Sequence, residues 1–360
     1  MKIRSILLHT GLTLGVLILS WLLAEVVLNR VFYHFERYPS FPGQGVPFVI
    51  QTLEFKIHTI ENRQGLRGPE VPEKEPGEYR VICLGDSFTF GMGVEFPQTY
   101  PMVLEELLRR DFPSVRVINA GGGGAVKNRY EYMLSRGLEF DPDWAVLQIY
   151  VGNDFYDSMA ASPAAESAAQ KSADPGVPLL TRLKDWVREH SAIGRLLWHA
   201  MTRHDWAQKL LFKHNLRYSN RAIYLKEYPR MEEELVKLHG EYLGKLRRLL
   251  EDHGIGLTVM IVPEKMQIFN AEDLTDELYD IRKPDRLIRE DCARLGITVM
   301  DLLDAYRDVP RKLLKRLYYF QDMHWTPAGH RDAAERLARL LEREWAAAGG
   351  SAGPRSAERS

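Results

Sequence analysis

The chain alternates between two hydrophobic periods. Short continuous apolar runs occur at 80–84, 115–118 (Val115-Arg116-Val117-Ile118), 144–151, 257–262 and 297–300. Runs of this length, bounded by polar residues, read as strands buried on both faces. Between them the apolar positions fall three and four residues apart. Tyr100 to Arg110 places Val103, Leu104, Leu107 and Leu108 on one helical face. Glu232 to Leu250 does the same with Leu235, Leu238, Leu243, Leu246, Leu249 and Leu250, and Pro284 to Leu295 precedes the fifth run. A last helix starts at Thr326-Pro327, an N-cap followed by proline at the first helical position, and runs to about Ala347. Strands that alternate with helices predict an α/β fold, a five-stranded parallel sheet in a three-layer αβα arrangement.

The flanking regions follow other patterns. From Ser5 to Ala24 there is no Asp, Glu, Lys or Arg. At ~1.5 Å rise per residue this stretch just spans a hydrocarbon core of ~30 Å. Residues 1–30 are therefore expected to be an uncleaved signal anchor. The alternatives are a cleaved signal peptide, disfavoured by the poor Leu22-Leu23-Ala24 cleavage site, and a core helix. Lys2 and Arg4 predict a cytoplasmic N-terminus and an extracytoplasmic remainder. Residues 31–79 read as a connector broken by Pro39, Pro42, Gly43, Gly45 and Pro47, with one alternating strand from Leu53 to Ile60. Residues 80–348 form the main domain. It carries an insertion at about 157–230, Ala/Ser-rich from Met159 to Pro175 and amphipathic from Leu179 to Leu216. The insertion is expected to be a helical cap; a lid or a membrane-facing surface are the alternatives. The tail, 349–360, is expected to be disordered.

Composition adds limits rather than direction. Apolar residues make up 45% of the 360 and charged residues 27%, with a net charge of −1, so nothing points to nucleic acid. The two cysteines, Cys83 and Cys292, lie in a predicted strand and a predicted helix. They suit buried thiols rather than a disulfide framework or a Cys-rich metal site.

Chemistry enters at the end of the first strand. The run Val81-Ile82-Cys83-Leu84 stops at Gly85-Asp86-Ser87, which delivers a hydroxyl to the carboxyl edge of the sheet. Open α/β sheets hold their ligands at that edge. A serine nucleophile needs a base, a carboxylate to orient the base, and donors for an oxyanion. His324 stands on a loop before the last helix, with Asp322 two residues earlier. The second strand runs into Asn119-Ala120-Gly121-Gly122-Gly123-Gly124, and the third into Gly152-Asn153-Asp154. Backbone N–H groups of the glycines and the Asn153 amide are candidate donors. Taken singly, each feature is an ordinary turn or cap. Three polar strand ends in succession, with a downstream Asp-x-His, point to one site.

In these blocks the chain resembles the SGNH/GDSL hydrolase superfamily, over about residues 80–154 and 255–340. The resemblance implies a flavodoxin-like fold, with Ser87 as nucleophile and His324 as base. It also implies an oxyanion hole from Ser87, Gly124 and Asn153, with no cofactor and no metal. The commonest last block of that family has Asp three residues before His, where this chain has Gln321; Asp322 is the provisional acid. The Asp-x-His-Trp spelling and Ile261-Val262-Pro263-Glu264-Lys265 resemble the branch that includes alginate O-acetyltransferases. The expected activity is hydrolysis of acyl, chiefly O-acetyl, esters of a cell-envelope glycan or lipid. The alternatives are an O-acyltransferase served by a donor-supplying membrane partner, and a non-catalytic envelope scaffold. Nucleotide binding is disfavoured, because Val126 and Lys127 occupy the positions for the third glycine of the dinucleotide fingerprint. A metal site from Asp322, His324 and His330 is disfavoured as well, His330 reading as a partly exposed helical residue.

Overall fold

The structure is a computed structural model that describes residues 2–35, 44–52, 54–157, 191–194, 196–197, 222–275, 277–320, 322–347 and 353–354. Its centre is a five-stranded sheet of β3 (Tyr79–Gly85), β4 (Val115–Gly121), β5 (Trp144–Tyr150), β6 (Gly256–Val262) and β7 (Thr298–Asp301). The spatial order is β4-β3-β5-β6-β7 and all pairs are parallel. Counting only these strands, the order is 2-1-3-4-5, the flavodoxin-like doubly wound arrangement, whose crevice opens where the winding reverses. That reversal lies between β3 and β5, which puts the Gly-Asp-Ser turn at the mouth of the crevice.

The pleat divides the core. Ile82, Leu84, Leu147 and Ile149 pack against Leu243, Leu246, Leu250 and Ile288 on one face. Val81, Cys83 and Val146 pack on the other against Val103, Leu104, Leu337, Leu341 and Trp345. Each such fully buried aliphatic contributes about 1.5–3 kcal/mol relative to exposure. Both faces are covered, and so β5 is buried along its whole length with no polar alternation. Cys83 and Cys292 are buried free thiols. The predicted helices appear as Tyr100–Leu108, Arg230–Asp252, Lys283–Arg294 and Pro327–Ala347. Two further helices, Val126–Ser135 and Lys265–Leu274, follow β4 and β6.

The connector departs from its expected form. In place of one strand it holds an antiparallel hairpin, β1 (Phe48–Gln51) with β2 (Lys56–Thr59), paired Phe48↔Thr59 through Gln51↔Lys56. Leu53 lies outside the described residues. Phe48, Ile50, Phe55 and Ile57 form a small core with Met92 and Tyr319 of the main domain. Farther on, the Arg67 guanidinium donates to the carbonyls of Phe90 (2.8 Å), Gly91 (2.6 Å) and Val94 (2.7 Å). Burial brings Arg67 down to about 10 against the opposing charge of Glu95. The hairpin and Arg67 therefore pack as part of the main domain.

The helix Lys2–Phe35 contains one stretch, His9–Arg30, long and apolar enough to cross a membrane. A membrane anchor and a signal sequence both have this length and composition. Toward its C-terminal end, Glu25 accepts from Ser191 Oγ at 3.0 Å and from the Ile193 amide at 3.3 Å. The expected loop from Met159 to Pro175, most of the expected helices from Leu179 to Leu216, and most of the tail lie outside the described residues.

Candidate active site

Ser87 owes its position to a tight strand-to-helix turn. β3 ends at Gly85, where a Cβ would lie 2.1 Å from Thr89 Oγ1 and 2.3 Å from Gln148 Oε1. Asp86 caps the short helix Ser87–Phe90, its carboxylate accepting from the Phe88 amide at 2.8 Å. Gln148 on β5 fixes the same turn by accepting from the Asp86 amide at 3.1 Å and from Thr89 Oγ1 at 2.9 Å. The helix is pressed against β4, since a Cβ on Gly121 would come within 2.0 Å of the Phe90 nitrogen. Gly121→Ala is therefore expected to lose about 3 kcal/mol in a denaturant melt, because both partners of the clash are backbone. Wild-type stability in that variant would mean that the turn has room to move. Burial pushes the Asp86 carboxyl up to about 6, against the Phe88 hydrogen bond and the charge of His324.

His324 reaches Ser87 from the far end of the chain. Its loop is closed by an antiparallel bridge between Tyr318 and Trp325 and by the Tyr319 amide donating to the His324 carbonyl at 3.0 Å. Trp325 is fully buried and meets Phe88 edge-on at 4.9 Å, which anchors the loop beside the nucleophile turn. His324 Nε2 lies 2.7 Å from Ser87 Oγ. Its Nδ1 lies 2.5 Å from Asp322 Oδ1, an oxygen that also accepts from the His324 amide at 2.8 Å. A carboxylate at Nδ1 selects the tautomer with the proton there and leaves Nε2 free to accept from the serine. Burial alone would raise the Asp322 carboxyl. The hydrogen bonds and charge of His324, with the charge of Lys265, outweigh it and hold the group below its usual range.

A cleft of about 430 Å³ opens above Ser87, lined among others by Gly121 to Gly124, Asn153, Asp157 and Met92. The Gly122 amide is occupied by the Gly85 carbonyl at 2.9 Å. Gly124 sits at φ +95°, a conformation that favours glycine, and a Cβ there would strike the Asn128 side chain at 2.5 Å. The Ser87 amide belongs to the first turn of its helix, where N–H groups have no intrahelical acceptor. Asn153 donates one amide hydrogen to Asp157 Oδ2 at 3.0 Å, and its second remains for a ligand. The structure thus places Ser87, Gly124 and Asn153 on one cleft, with His324 and Asp322 joined to it through Ser87.

Other placements differ from the sequence reading. His330 is fully buried rather than partly exposed. Its Nδ1 accepts from the Tyr100 amide at 3.1 Å, so it ties the last helix to the helix Tyr100–Leu108 and faces away from a ligand role with Asp322. The helical pattern marked the position but not the neighbouring helix that covers it. Gln321 lies outside the described residues. Asp157, Glu61 and Arg67 line the cleft without having been singled out. Asp157 was legible as the i+4 partner of Asn153 on a helical turn. Glu61 and Arg67 reach the site through tertiary packing alone.

Residues 224–357 match the family model described as the SGNH hydrolase-like domain of the acetyltransferase AlgX. Among solved structures the chain is similar to the lipase/acylhydrolase from Enterococcus faecalis, at 14% identity over 78% of this chain and 100% of that one, with a TM-score of 0.42. It is similar to a catalytic mutant of Axe2, an acetylxylan esterase from Geobacillus stearothermophilus, at 16% identity over 75% and 95%, with a TM-score of 0.40. It is also similar to the acetyl xylan esterase AlAXEase, at 15% identity over 72% and 98%, with a TM-score of 0.42. No curated protein matches. The chain thus combines a 2-1-3-4-5 parallel sheet with a C-terminal part, spanning Asp322 and His324, that is similar to the SGNH hydrolase-like domain of AlgX.

Proposed function

We propose that the protein is a serine-dependent acyl-ester hydrolase that works through an acyl-enzyme. The observation that carries this reading is the continuous contact chain Asp322–His324–Ser87, whose serine lines the cleft. Ser87 Oγ attacks the ester carbonyl as His324 Nε2 takes its proton. The oxyanion is held by the Ser87 and Gly124 amides and the Asn153 side chain. When the tetrahedral adduct collapses, the C–O bond to the alcohol breaks and the alcohol leaves with the proton from His324. Water, deprotonated by His324, then attacks the acyl-serine and releases the acid. Asp322 keeps its charge throughout and stabilises the imidazolium.

A fluorophosphonate probe tests this directly. Covalent labelling of the wild type and none of Ser87→Ala supports the reading. An unlabelled, folded wild type favours the scaffold alternative. Asn153→Ala is expected to reduce kcat for a short-chain aryl ester by ~10²-fold through the loss of one oxyanion donor. Activity within a few-fold of wild type would remove Asn153 from the hole.

The AlgX match favours a second reading, in which a sugar hydroxyl rather than water takes the acyl group. The same serine, base and donors serve both fates. Incubation of the acyl-enzyme with an unacetylated glycan separates them by transfer against acetate release. The substrate in either case is proposed to be an O-acetylated glycan or lipid of the cell envelope. The helix Lys2–Phe35 would hold the domain at the outer face of the cytoplasmic membrane. A transferase would in addition need a membrane partner that supplies the acyl donor.

A further inference from the structure

The loop that carries Asp322 and His324 has little regular structure of its own, and two charged side chains from opposite sides grip its backbone. Lys265, the first residue of the helix Lys265–Leu274, donates through Nζ to the carbonyls of Tyr319 (2.8 Å), Phe320 (2.8 Å) and Asp322 (3.1 Å). All three ammonium hydrogens thus have acceptors on one turn of chain. Glu54, in the turn of the connector hairpin, takes the Phe320 amide on Oε1 and the Asp322 amide on Oε2, both at 2.7 Å. Five backbone groups between Tyr319 and Asp322 are satisfied by these two side chains. None of the five contacts is made by the cleft lining or by the reacting atoms.

From this geometry we infer that Lys265 and Glu54 are positioning residues, a paired clamp that holds the acid–base loop in register with Ser87. The inference rests on the proposed esterase reading and extends it to residues that touch no substrate. His324 must remain at hydrogen-bond distance from Ser87 Oγ to accept its proton, and a displacement of about 1 Å at such a contact costs ~10²-fold in rate. A backbone turn anchored by charge-assisted hydrogen bonds resists that displacement better than one solvated by water.

The clamp is also sensitive to alkali. The charged groups facing the Lys265 ammonium are Glu54 from the hairpin and Asp322 from the loop. The Tyr319 phenol, raised to about 12 by burial beside them, stays neutral across the working range. Burial brings Lys265 down to about 8 in spite of the two carboxylates. Above that pH the neutral amine has two hydrogens left for three carbonyls, and its attraction to Glu54 and Asp322 is lost. Turnover is therefore expected to fall as the pH rises through about 8.

The test uses the full-length chain in detergent with a short-chain aryl acetate. For Lys265→Met, kcat is expected to drop by ~10²-fold with KM within about twofold of wild type, and the alkaline limb near pH 8 is expected to disappear. A merely structural role for Lys265 would leave the limb in place. For Glu54→Ala a similar drop is expected. Glu54→Gln, which keeps one acceptor oxygen, should recover about tenfold of it. Wild-type kcat in Lys265→Met, or an alkaline limb that persists in it, overturns the clamp. Should Lys265→Met fail to fold by circular dichroism, the Glu54 pair decides, and equal activity of Glu54→Ala and wild type overturns the clamp. Fluorophosphonate labelling of the wild type separates this inference from the reading beneath it. A wild type unlabelled at Ser87 removes both, whereas a labelled wild type with unaffected variants removes only the clamp.

Discussion

Ser87→Ala is expected to lose at least ~10³-fold in turnover of a short-chain aryl ester while the fold and its melting temperature are retained. Among the described residues the Oγ has one hydrogen-bond partner, His324 Nε2 at 2.7 Å. The turn that presents it is held by Asp86, Gln148 and the close approach of Gly121 to Phe90. Removal of the hydroxyl thus deletes the proposed nucleophile and leaves its platform. The residual rate would come from the oxyanion donors acting on a bound ester attacked by water. Stopped-flow or steady-state assay of purified protein measures it. A rate within tenfold of wild type would show that another group attacks the ester.

His324→Ala is expected to lose a comparable factor, ~10³-fold or more, and the double variant with Ser87→Ala little beyond either single one. In the proposed mechanism the two residues act in one step, so the loss of either removes the proton transfer and their effects are expected to be strongly non-additive. The imidazole is held on two sides, by Asp322 at Nδ1 and by its contact with Phe88, ring centroids 5.1 Å apart. Its replacement by alanine leaves the half-buried Asp322 carboxylate without its ring partner but still bonded to the amide at position 324 and near Lys265. The double-mutant cycle is the sharper test. Additive losses would place the base on a different residue and sink the assignment of His324.

Much of this site was legible because its residues lie at strand ends. The run that stops at Gly85-Asp86-Ser87 fixes both a strand and its direction, and a parallel sheet sends every carboxyl end to the same edge. The polar ends of β3, β4 and β5 therefore had to meet. His324 was legible as a residue just ahead of a helix with a clear N-cap and proline. What the pattern did not contain was contact between distant segments. Glu54 lies in a turn that reads as an unremarkable polar residue between two apolar ones, and its partners are amides of residues 320 and 322, over 260 positions away. Backbone partners leave no sequence signature. Arg67 is hidden for the same reason, because its acceptors are carbonyls. His330 went astray in the opposite direction. Its helical spacing was right, but whether that face meets solvent or the helix Tyr100–Leu108 depends on packing order in the layer.

The hairpin of residues 48–59 changes where a soluble form of this protein can begin. A chain started at residue 79, where the doubly wound sheet begins, would keep Ser87, Asn153 and His324. It would strip Glu54 from the Phe320 and Asp322 amides and Arg67 from the carbonyls of Phe90, Gly91 and Val94. Such a fragment would hold every residue of the proposed reaction with its loop unfastened. A chain started near residue 44 would carry the hairpin along, and a protease that trims the exposed apolar helix would leave Glu54 and Arg67 on their partners only if it cut before that point.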